Sequence, residues 1–238
     1  MTSGSGISRR KLAGCACCAA ALGALAGIPS VRAAQEHSPT EMTPDEALNL
    51  LKEGNAQFVT DAPFRGVQGR ERRIEIARAQ TPFAVMVGCS DSRVSPELLF
   101  GRGLGELFIV RVAGNTVDLA AQGSIEYAVA ELGVPLVLVL GHERCGAVAA
   151  AVRLVEENAS FPGAIGEVVE PIVPAVLRAK RQGGDLLDNA VRENVRGVVT
   201  RLRGSGAILP ERVAAGSVKV VGARYDLDDG AVDFFDES

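Results

Sequence analysis

Residues 83–93 read FAVMVGCSDSR, an apolar run of strand length that ends directly in a polar segment with reactive side chains. Residues 107–112 and 136–140 form two similar apolar runs, and Gly141-His142 follows the latter. Near-continuous apolar runs rich in β-branched residues are typical of strands covered on both faces, as in parallel sheets. The pattern therefore predicts a central, mostly parallel β-sheet.

Segments with helical patterns separate these runs. Thr43-Pro44-Asp45-Glu46 combines a helix N-cap, a proline at the first helical position and the glutamate of a capping box. The predicted helices span residues 43–58, 70–79, 119–132, 145–157, 168–181 and 186–203. Residues 218–223 and 230–234, around the turn Asp228-Asp229-Gly230, predict a closing C-terminal strand and hairpin. The alternation of strands and helices predicts one α/β domain over residues 43–238, with helices flanking the sheet and an N-terminal helical arm.

The first 33 residues have the composition of an export signal. Arg9-Arg10-Lys11 precedes an apolar, alanine-rich run over residues 12–28, and small residues follow near Ala33. A basic start, an apolar middle and a small-residue exit predict a removable signal peptide, and the paired arginines favour the twin-arginine route. We expect cleavage near Ala33–Ala34, a flexible linker over residues 34–42, and an exported product, periplasmic or secreted, that is not held in the membrane.

The composition restricts the partners of the predicted domain. The formal net charge is −4 and only 4% of the residues are aromatic. Basic and acidic residues are mixed along the chain without a long basic stretch, which argues against nucleic-acid binding.

The cysteines and histidines point to a metal. The chain has five cysteines and two histidines, and beyond the predicted leader and linker only Cys89, His142 and Cys145 remain. Both motifs follow predicted strands, at the sheet edge where parallel sheets bind ligands. We expect one helical turn to bring His142 next to Cys145, which would begin a helix. Two thiolates and one imidazole form a Zn²⁺ set with a fourth position open, as in catalytic sites. A Cys89–Cys145 disulfide is the alternative for an exported chain.

Asp91 and Arg93 lie beside the first predicted ligand. If the chain stays extended, alternate side chains place both residues on the same face as Cys89. Asp91 either fills the fourth zinc position or pairs with Arg93, in which case water takes that position. Zinc lowers the pKa of bound water to roughly 7 and so supplies hydroxide, from which Asp91 would accept a hydrogen bond. An ordinary surface ion pair is the remaining interpretation.

These motifs are similar to those of the β-class carbonic anhydrases. Residues 89–94, CSDSRV, and 141–146, GHERCG, resemble the two signatures of that family. Supporting matches lie at residues 105–108, 111–115, 124–128 and 221–227. The resemblance implies one zinc per subunit held by Cys89, His142 and Cys145, with Asp91 and Arg93 as a catalytic pair. It also implies reversible hydration of carbon dioxide to bicarbonate and a proton, in a homodimer or homotetramer whose site lies at the dimer interface.

The same resemblance assigns three substrate-binding residues. Gln80 matches a glutamine that donates a hydrogen bond to substrate, and Phe108 and Tyr127 match residues that line the carbon dioxide pocket. Without the resemblance, Phe108 and Tyr127 are typical core residues and Gln80 is a polar residue at a helix end. Two other functions use the same motifs: hydrolysis of carbonyl sulfide or carbon disulfide on this scaffold, and non-catalytic zinc binding.

Overall fold

The computed structural model describes residues 39–237, which form helices around a five-stranded sheet. The strands are β1 (Ala84–Gly88), β2 (Leu107–Arg111), β3 (Leu136–His142), β4 (Lys219–Tyr225) and β5 (Val232–Phe235). The α-helices are α1 (Pro44–Val59), α2 (Arg70–Ile76), α3 (Pro96–Leu99), α4 (Leu119–Ala130), α5 (Gly146–Glu157), α6 (Ile165–Val169), α7 (Val173–Ala179), α8 (Leu186–Gly204) and α9 (Leu209–Ala214). Short 3₁₀ turns occupy Ala113–Asn115 and Glu170–Ile172.

The sheet has the strand order β2-β1-β3-β4-β5. The first four strands in this order pair in parallel, and only β5 runs antiparallel, against β4. Gly88 at the end of β1 pairs with Arg111 on one side and with Leu140 on the other. The carboxyl ends of β1, β2 and β3 therefore meet at one edge of the sheet. This arrangement confirms the predicted α/β fold with its closing hairpin.

Alternate residues of each central strand serve two separate cores. Val85 and Val87 face one core together with residues of α4, α8 and α9. Ala84 and Met86 face the other core, which contains Leu48 and Leu51 and against which Phe234 of the hairpin packs. All five residues of β1 and all seven of β3 are buried. This two-sided burial explains why the strands read as continuous apolar runs rather than as alternating ones.

The N-terminal arm begins as its sequence predicts. The Thr43 side chain accepts a hydrogen bond from the Glu46 backbone N–H at 3.3 Å, and the Glu46 carboxylate accepts one from the Thr43 N–H at 2.7 Å. Two backbone donors of the first turn are thereby satisfied. Ala47, Leu48 and Leu51 then pack α1 against the sheet.

The prediction of one continuous helix over residues 168–181 is wrong, because the helical segment here is interrupted. It begins earlier, at Ile165, and is divided into α6, a 3₁₀ turn and α7. Pro171 and Pro174 lie in the 3₁₀ turn and the first turn of α7, and proline has no N–H to continue an α-helical ladder. The helix predicted to reach Ala79 ends at Ile76, and the short helices α3 and α9 were not predicted.

No helix within residues 39–237 is long and apolar enough to cross a membrane. The predicted signal peptide over residues 1–33 lies outside the described residues, as does most of the predicted linker.

Candidate metal centre

The structure brings Cys89, His142 and Cys145 together at the carboxyl edge of the sheet. Cys89 follows β1, His142 is the last residue of β3, and Cys145 is the N-cap of α5. One Sγ or ring nitrogen atom from each residue lies within 4.8 Å of the others, and all three side chains are buried. Parallel pairing of β1 with β3 causes this convergence, because it places the ends of both strands side by side.

The connection between His142 and Cys145 differs from the predicted helical turn. His142 is still extended and pairs with Tyr225, and the Glu143 N–H donates to the Tyr225 carbonyl at 2.9 Å. The chain then reverses at Arg144, whose φ of 50° lies in the left-handed region. The sheet therefore holds His142, and a tight turn delivers Cys145 to it.

The imidazole of His142 is prepared as a ligand. Its Nδ1 lies 2.9 Å from the Glu143 carbonyl oxygen, which can only accept, so Nδ1 carries the proton. Nε2 is then the lone-pair nitrogen, and it is buried without a hydrogen-bond partner among the described residues. An unsatisfied buried acceptor costs roughly 1–3 kcal/mol. A metal ion bound at Nε2 removes that cost, so this residue fits a metal site, and its tautomer is fixed by a backbone carbonyl as in many such sites.

The two thiols also fit a metal site. Both are free, so the structure has no Cys89–Cys145 disulfide. The hydrogen bond from the Cys145 thiol lowers the pKa of Cys89 to about 4, and the Gly114 and Asp91 N–H groups act in the same direction against burial. The same contact raises the pKa of Cys145, because burial and the neighbouring thiolate both oppose a second negative charge. A divalent cation compensates that charge and allows both sulfurs to ionise.

Asp91 and Arg93 form a bidentate pair beside the three ligands. Arg93 Nε donates to Asp91 Oδ1 at 2.9 Å and Nη2 donates to Oδ2 at 2.7 Å. Asp91 Oδ2 lies 3.8 Å from His142 Nε2. The Arg93 guanidinium holds the pKa of the Asp91 carboxyl well below its usual range, so the carboxylate is anionic. Of the two roles considered for Asp91, the structure displays the pairing with Arg93.

The expectation of an extended chain through this segment is wrong. Ser92 and Arg93 form a turn, in which the Val94 N–H donates to the Asp91 carbonyl at 3.0 Å. The Arg93 N–H also donates to Asp91 Oδ1 at 2.9 Å. Aspartate stabilises such turns by bonding to the backbone two residues ahead. The pair therefore forms through local turn chemistry rather than through strand alternation.

Sequence reasoning did not identify the contacts that hold this loop. Arg111, at the end of β2, donates from Nε to the Cys89 carbonyl at 2.8 Å and from Nη2 to the Asp91 carbonyl at 2.6 Å. The Gly114 N–H donates to Cys89 Sγ at 3.2 Å. The sequence did contain an indication that Arg111 has a specific role, because it is the single charged residue in the apolar run 107–112.

Two of the three residues assigned to substrate, Gln80 and Phe108, lie away from the ligands of their own chain. Gln80 precedes β1, whereas Cys89 follows it, and five strand residues span roughly 16 Å. Phe108 pairs with Val85, near the amino end of β1. Tyr127 lies on α4, with its ring centroid 6.4 Å from that of Phe108, and 43% of the residue is exposed. The structure thus groups Phe108 with Tyr127 but does not bring Gln80 or Phe108 to the ligands.

An apolar groove of about 510 Å³ lies beside the second motif, between α5 and α6. Its walls are formed by Ala113, Gly146, Ala147, Ala150, Ala164, Ile165, Val168 and Val169. Gly146 is adjacent in sequence to Cys145, and Ala113 is adjacent to Gly114. The groove therefore places an uncharged surface next to the buried ligands.

Comparison with known proteins gives consistent results. Residues 84–232 match the profile of a family described as carbonic anhydrase. Carbonic anhydrase 2 of Mycobacterium tuberculosis is 43% identical over 187 residues, which are 79% of this chain and 90% of that protein. The solved β-carbonic anhydrase CafA of Aspergillus fumigatus matches with a TM-score of 0.62 at 26% identity, covering 82% of this chain and 91% of that one. One of two β-carbonic anhydrases from Sordaria macrospora described as tetrameric shares the fold, with a TM-score of 0.62 at 24% identity, covering 68% and 85%.

Proposed function

Because the chain belongs to the β-class carbonic anhydrase family, we propose that this enzyme uses zinc to hydrate carbon dioxide reversibly to bicarbonate and a proton. The observation that carries the proposal is the buried cluster of Cys89, His142 and Cys145, with an unpartnered Nε2 and a charged Asp91–Arg93 pair beside it. A closed structural zinc site needs four protein ligands, whereas three protein ligands are typical of catalytic zinc.

Cys89 Sγ, His142 Nε2 and Cys145 Sγ would hold one zinc ion per subunit. When bound, zinc supplies Lewis acidity that lowers the pKa of water to roughly 7, so that a strong nucleophile exists at neutral pH. The backbone carbonyl of Glu143 fixes the tautomer of His142, and the Gly114 N–H supports the Cys89 sulfur. These contacts orient the ligands before metal arrives.

Asp91 would orient the attacking water. Its carboxylate is anionic, is fixed by three hydrogen bonds from Arg93, and lies 3.8 Å from His142 Nε2. An oxygen of this carboxylate can accept a hydrogen bond from the attacking water and direct the water's lone pair towards the carbon of carbon dioxide. Arg93 prevents Asp91 from rotating, because the bidentate pair restrains both carboxylate oxygens.

The apolar groove between α5 and α6 fits an uncharged substrate. Its lining is almost entirely aliphatic, and carbon dioxide has no net charge and needs little solvation. Bicarbonate, the anionic product, finds no ionic partner in such a lining. We infer that the groove admits substrate and does not retain product.

We also propose that the enzyme is a homodimer, or a pair of dimers, with the active site at the dimer interface. Gln80 lies at the opposite end of β1 from the ligands of its own chain, and this separation supports a role for Gln80 in a partner's site. Phe108 lies towards the same end of the sheet, with Tyr127 beside it. The tetrameric Sordaria macrospora relative has the same fold, which is compatible with this assembly.

Hybrid dimers test this arrangement. Chains carrying Cys89→Ser keep Gln80, and chains carrying Gln80→Ala keep the three ligands. If Gln80 acts across the interface, a mixed dimer contains one complete site, and mixing two nearly inactive variants should restore roughly a quarter of wild-type activity for random pairing. Tagging the two chains differently allows the hybrid to be purified and assayed alone. An inactive hybrid with one zinc per dimer contradicts the interface assignment.

The leader supports a proposal for localisation. We propose that the basic, apolar and small-residue segments of residues 1–33 direct export by the twin-arginine route. Replacing Arg9 and Arg10 by lysine should leave full-length protein in the cytoplasmic fraction, whereas the unaltered chain is recovered shortened outside it. Equal export of both chains contradicts the proposed route.

Stopped-flow hydration of carbon dioxide, with zinc content measured on the same sample, tests the proposed reaction. We expect activity that rises with zinc occupancy up to one zinc per subunit. The same sample should be assayed with carbonyl sulfide and carbon disulfide. If the protein reacts faster with carbonyl sulfide or carbon disulfide than with carbon dioxide, that compound is the substrate and the proposal is wrong. If zinc-loaded protein reacts with none of the three, it is a non-catalytic zinc-binding protein.

A further inference from the structure

The left-handed turn at Gly114 places a backbone donor on one of the metal ligands. Gly114 has φ 68° and ψ 22°, and its N–H lies 3.2 Å from Cys89 Sγ. Asn115 follows with φ 46°, so two successive left-handed residues turn the chain after β2 towards the sulfur. A side chain at Gly114 would place its Cβ 2.7 Å from Ile172 Cδ1 and 3.0 Å from Ala147 Cβ. The donor therefore depends on glycine at this position.

The turn has an anchor on another element. Asn194 on α8 donates from Nδ2 to the Gly114 carbonyl oxygen at 2.8 Å. The carbonyl can only accept, so the orientation of the Asn194 amide is determined by this contact. Asn194 is 4% exposed, and 80 residues separate it from Gly114 in the sequence. This hydrogen bond therefore fixes the loop after β2 relative to α8.

Asn194 is a polar residue at a buried position of α8. Val191, three residues before it, and Val198, four residues after it, lie on the same face of the helix, and both are buried. A buried amide in an apolar stripe is costly unless it is hydrogen-bonded. The neighbouring buried polar residue, Glu193, belongs to a different network, with Arg178, Gln182 and Arg196. The described contact that accounts for the Asn194 side chain is the one to Gly114.

We propose that Asn194 is a positioning residue for the metal centre, which holds the Gly114 N–H on the Cys89 sulfur. A hydrogen bond to a ligating thiolate withdraws electron density that the sulfur would otherwise donate to the metal. The Gly114 N–H would thereby set how much charge the Cys89 sulfur donates to a bound metal and how tightly the site holds it. This inference rests on the proposed function, because it assumes that Cys89 is a metal ligand.

The cobalt-substituted protein gives a readout that is independent of catalysis. Absorption by thiolate-to-cobalt charge transfer in the near ultraviolet reports the electron density on the cysteine sulfurs. Asn194→Asp keeps the size of the side chain but replaces the donor with an acceptor, which repels the Gly114 carbonyl. We expect this band to move to lower energy and the affinity for zinc, measured by chelator competition, to change by about tenfold or more.

Asn189→Asp is the matched control. Asn189 lies on the same helix and donates from Nδ2 to the Gly183 carbonyl at 2.9 Å, on an exposed surface. The control makes the same chemical change and removes the same type of hydrogen bond, so its cobalt spectrum and zinc affinity should equal those of the wild type. An Asn194→Asp protein that matches Asn189→Asp in both measurements overturns the proposal.

A buried carboxylate can prevent folding, so Asn194→Ala is the second variant, with Val199→Ala as a core truncation that leaves the Gly114 carbonyl untouched. Circular dichroism identifies the folded variants. A spectral shift in Asn194→Ala and not in Val199→Ala supports the proposal. If both Asn194 variants fail to fold while Val199→Ala folds, Asn194 serves the fold alone and the proposal is wrong. A wild-type protein that shows no thiolate-to-cobalt band contradicts the proposed metal site instead.

Discussion

Replacing Cys89 by serine is expected to remove zinc binding and carbon dioxide hydration together. The serine hydroxyl stays protonated at neutral pH, so the variant offers the metal one thiolate and one imidazole in place of two thiolates and one imidazole. The Gly114 N–H that now supports the Cys89 sulfur would have no anion to bond. We expect activity to fall to background, a loss on the order of 10⁶-fold if the enzyme lies at the lower end of enzymatic accelerations.

Zinc content by elemental analysis and stopped-flow hydration on the same purified sample measure both effects. Ser90→Ala is a suitable control, because Ser90 is exposed and adjacent, and removing its hydroxyl leaves the ligands intact. The control should keep one zinc per subunit. A Cys89→Ser protein that retains one zinc per subunit with unchanged affinity shows that the buried cluster binds the metal through other atoms.

The sheet was predictable because its burial is two-sided. Strands β1 and β3 are covered by helices on both faces, so the residues facing each side must be apolar, and the sequence shows continuous runs. The start of α1 was predictable for a different reason, since the capping box of Thr43 and Glu46 uses only local contacts. A helix start that depends only on local contacts, or a strand that is buried on both faces, can therefore be located from the sequence.

The remaining elements depend on competing rules. Residues 168–181 have helical periodicity, but Pro171 and Pro174 break the ladder without reversing the chain direction. The loop after Cys89 looks extended by alternation, yet the Asp91 side chain captures the Arg93 N–H and forms a turn. In both cases a local chemical preference overrides the periodic pattern.

The candidate site shows the same division between local and distant information. Spacing and strand ends were sufficient to bring Cys89, His142 and Cys145 together, because parallel strands end at one edge. Arg111 and Asn194 act through backbone carbonyls of distant segments, Cys89 and Gly114 respectively. Every residue has a backbone carbonyl, so the sequence alone does not indicate which carbonyl accepts a hydrogen bond from Arg111 or Asn194.

Replacing Asp91 by alanine is expected to leave zinc bound while removing most of the activity. The carboxylate is hydrogen-bonded to Arg93, and its nearer oxygen lies 3.8 Å from His142 Nε2, beyond hydrogen-bond distance of that ligand. Its proposed role is to accept a hydrogen bond from the attacking water, and the loss of one such oriented group costs roughly 10²–10³-fold in kcat. Stopped-flow hydration and elemental analysis of the same sample measure the two quantities.

Asp228→Ala provides a matched control for the loss of charge. Asp228 is also held bidentately by an arginine, with Arg144 donating at 3.0 and 2.7 Å, but its side chain is 71% exposed. An exposed pair of this kind contributes little, so the control should keep zinc and stay within about twofold of wild-type activity. The contrast separates the position of Asp91 from its charge. Full activity in Asp91→Ala would show that the carboxylate is not the acceptor for the attacking water. The two substitutions remove the same charge. If Asp91→Ala loses zinc and Asp228→Ala does not, Asp91 is therefore one of the residues that retain the metal.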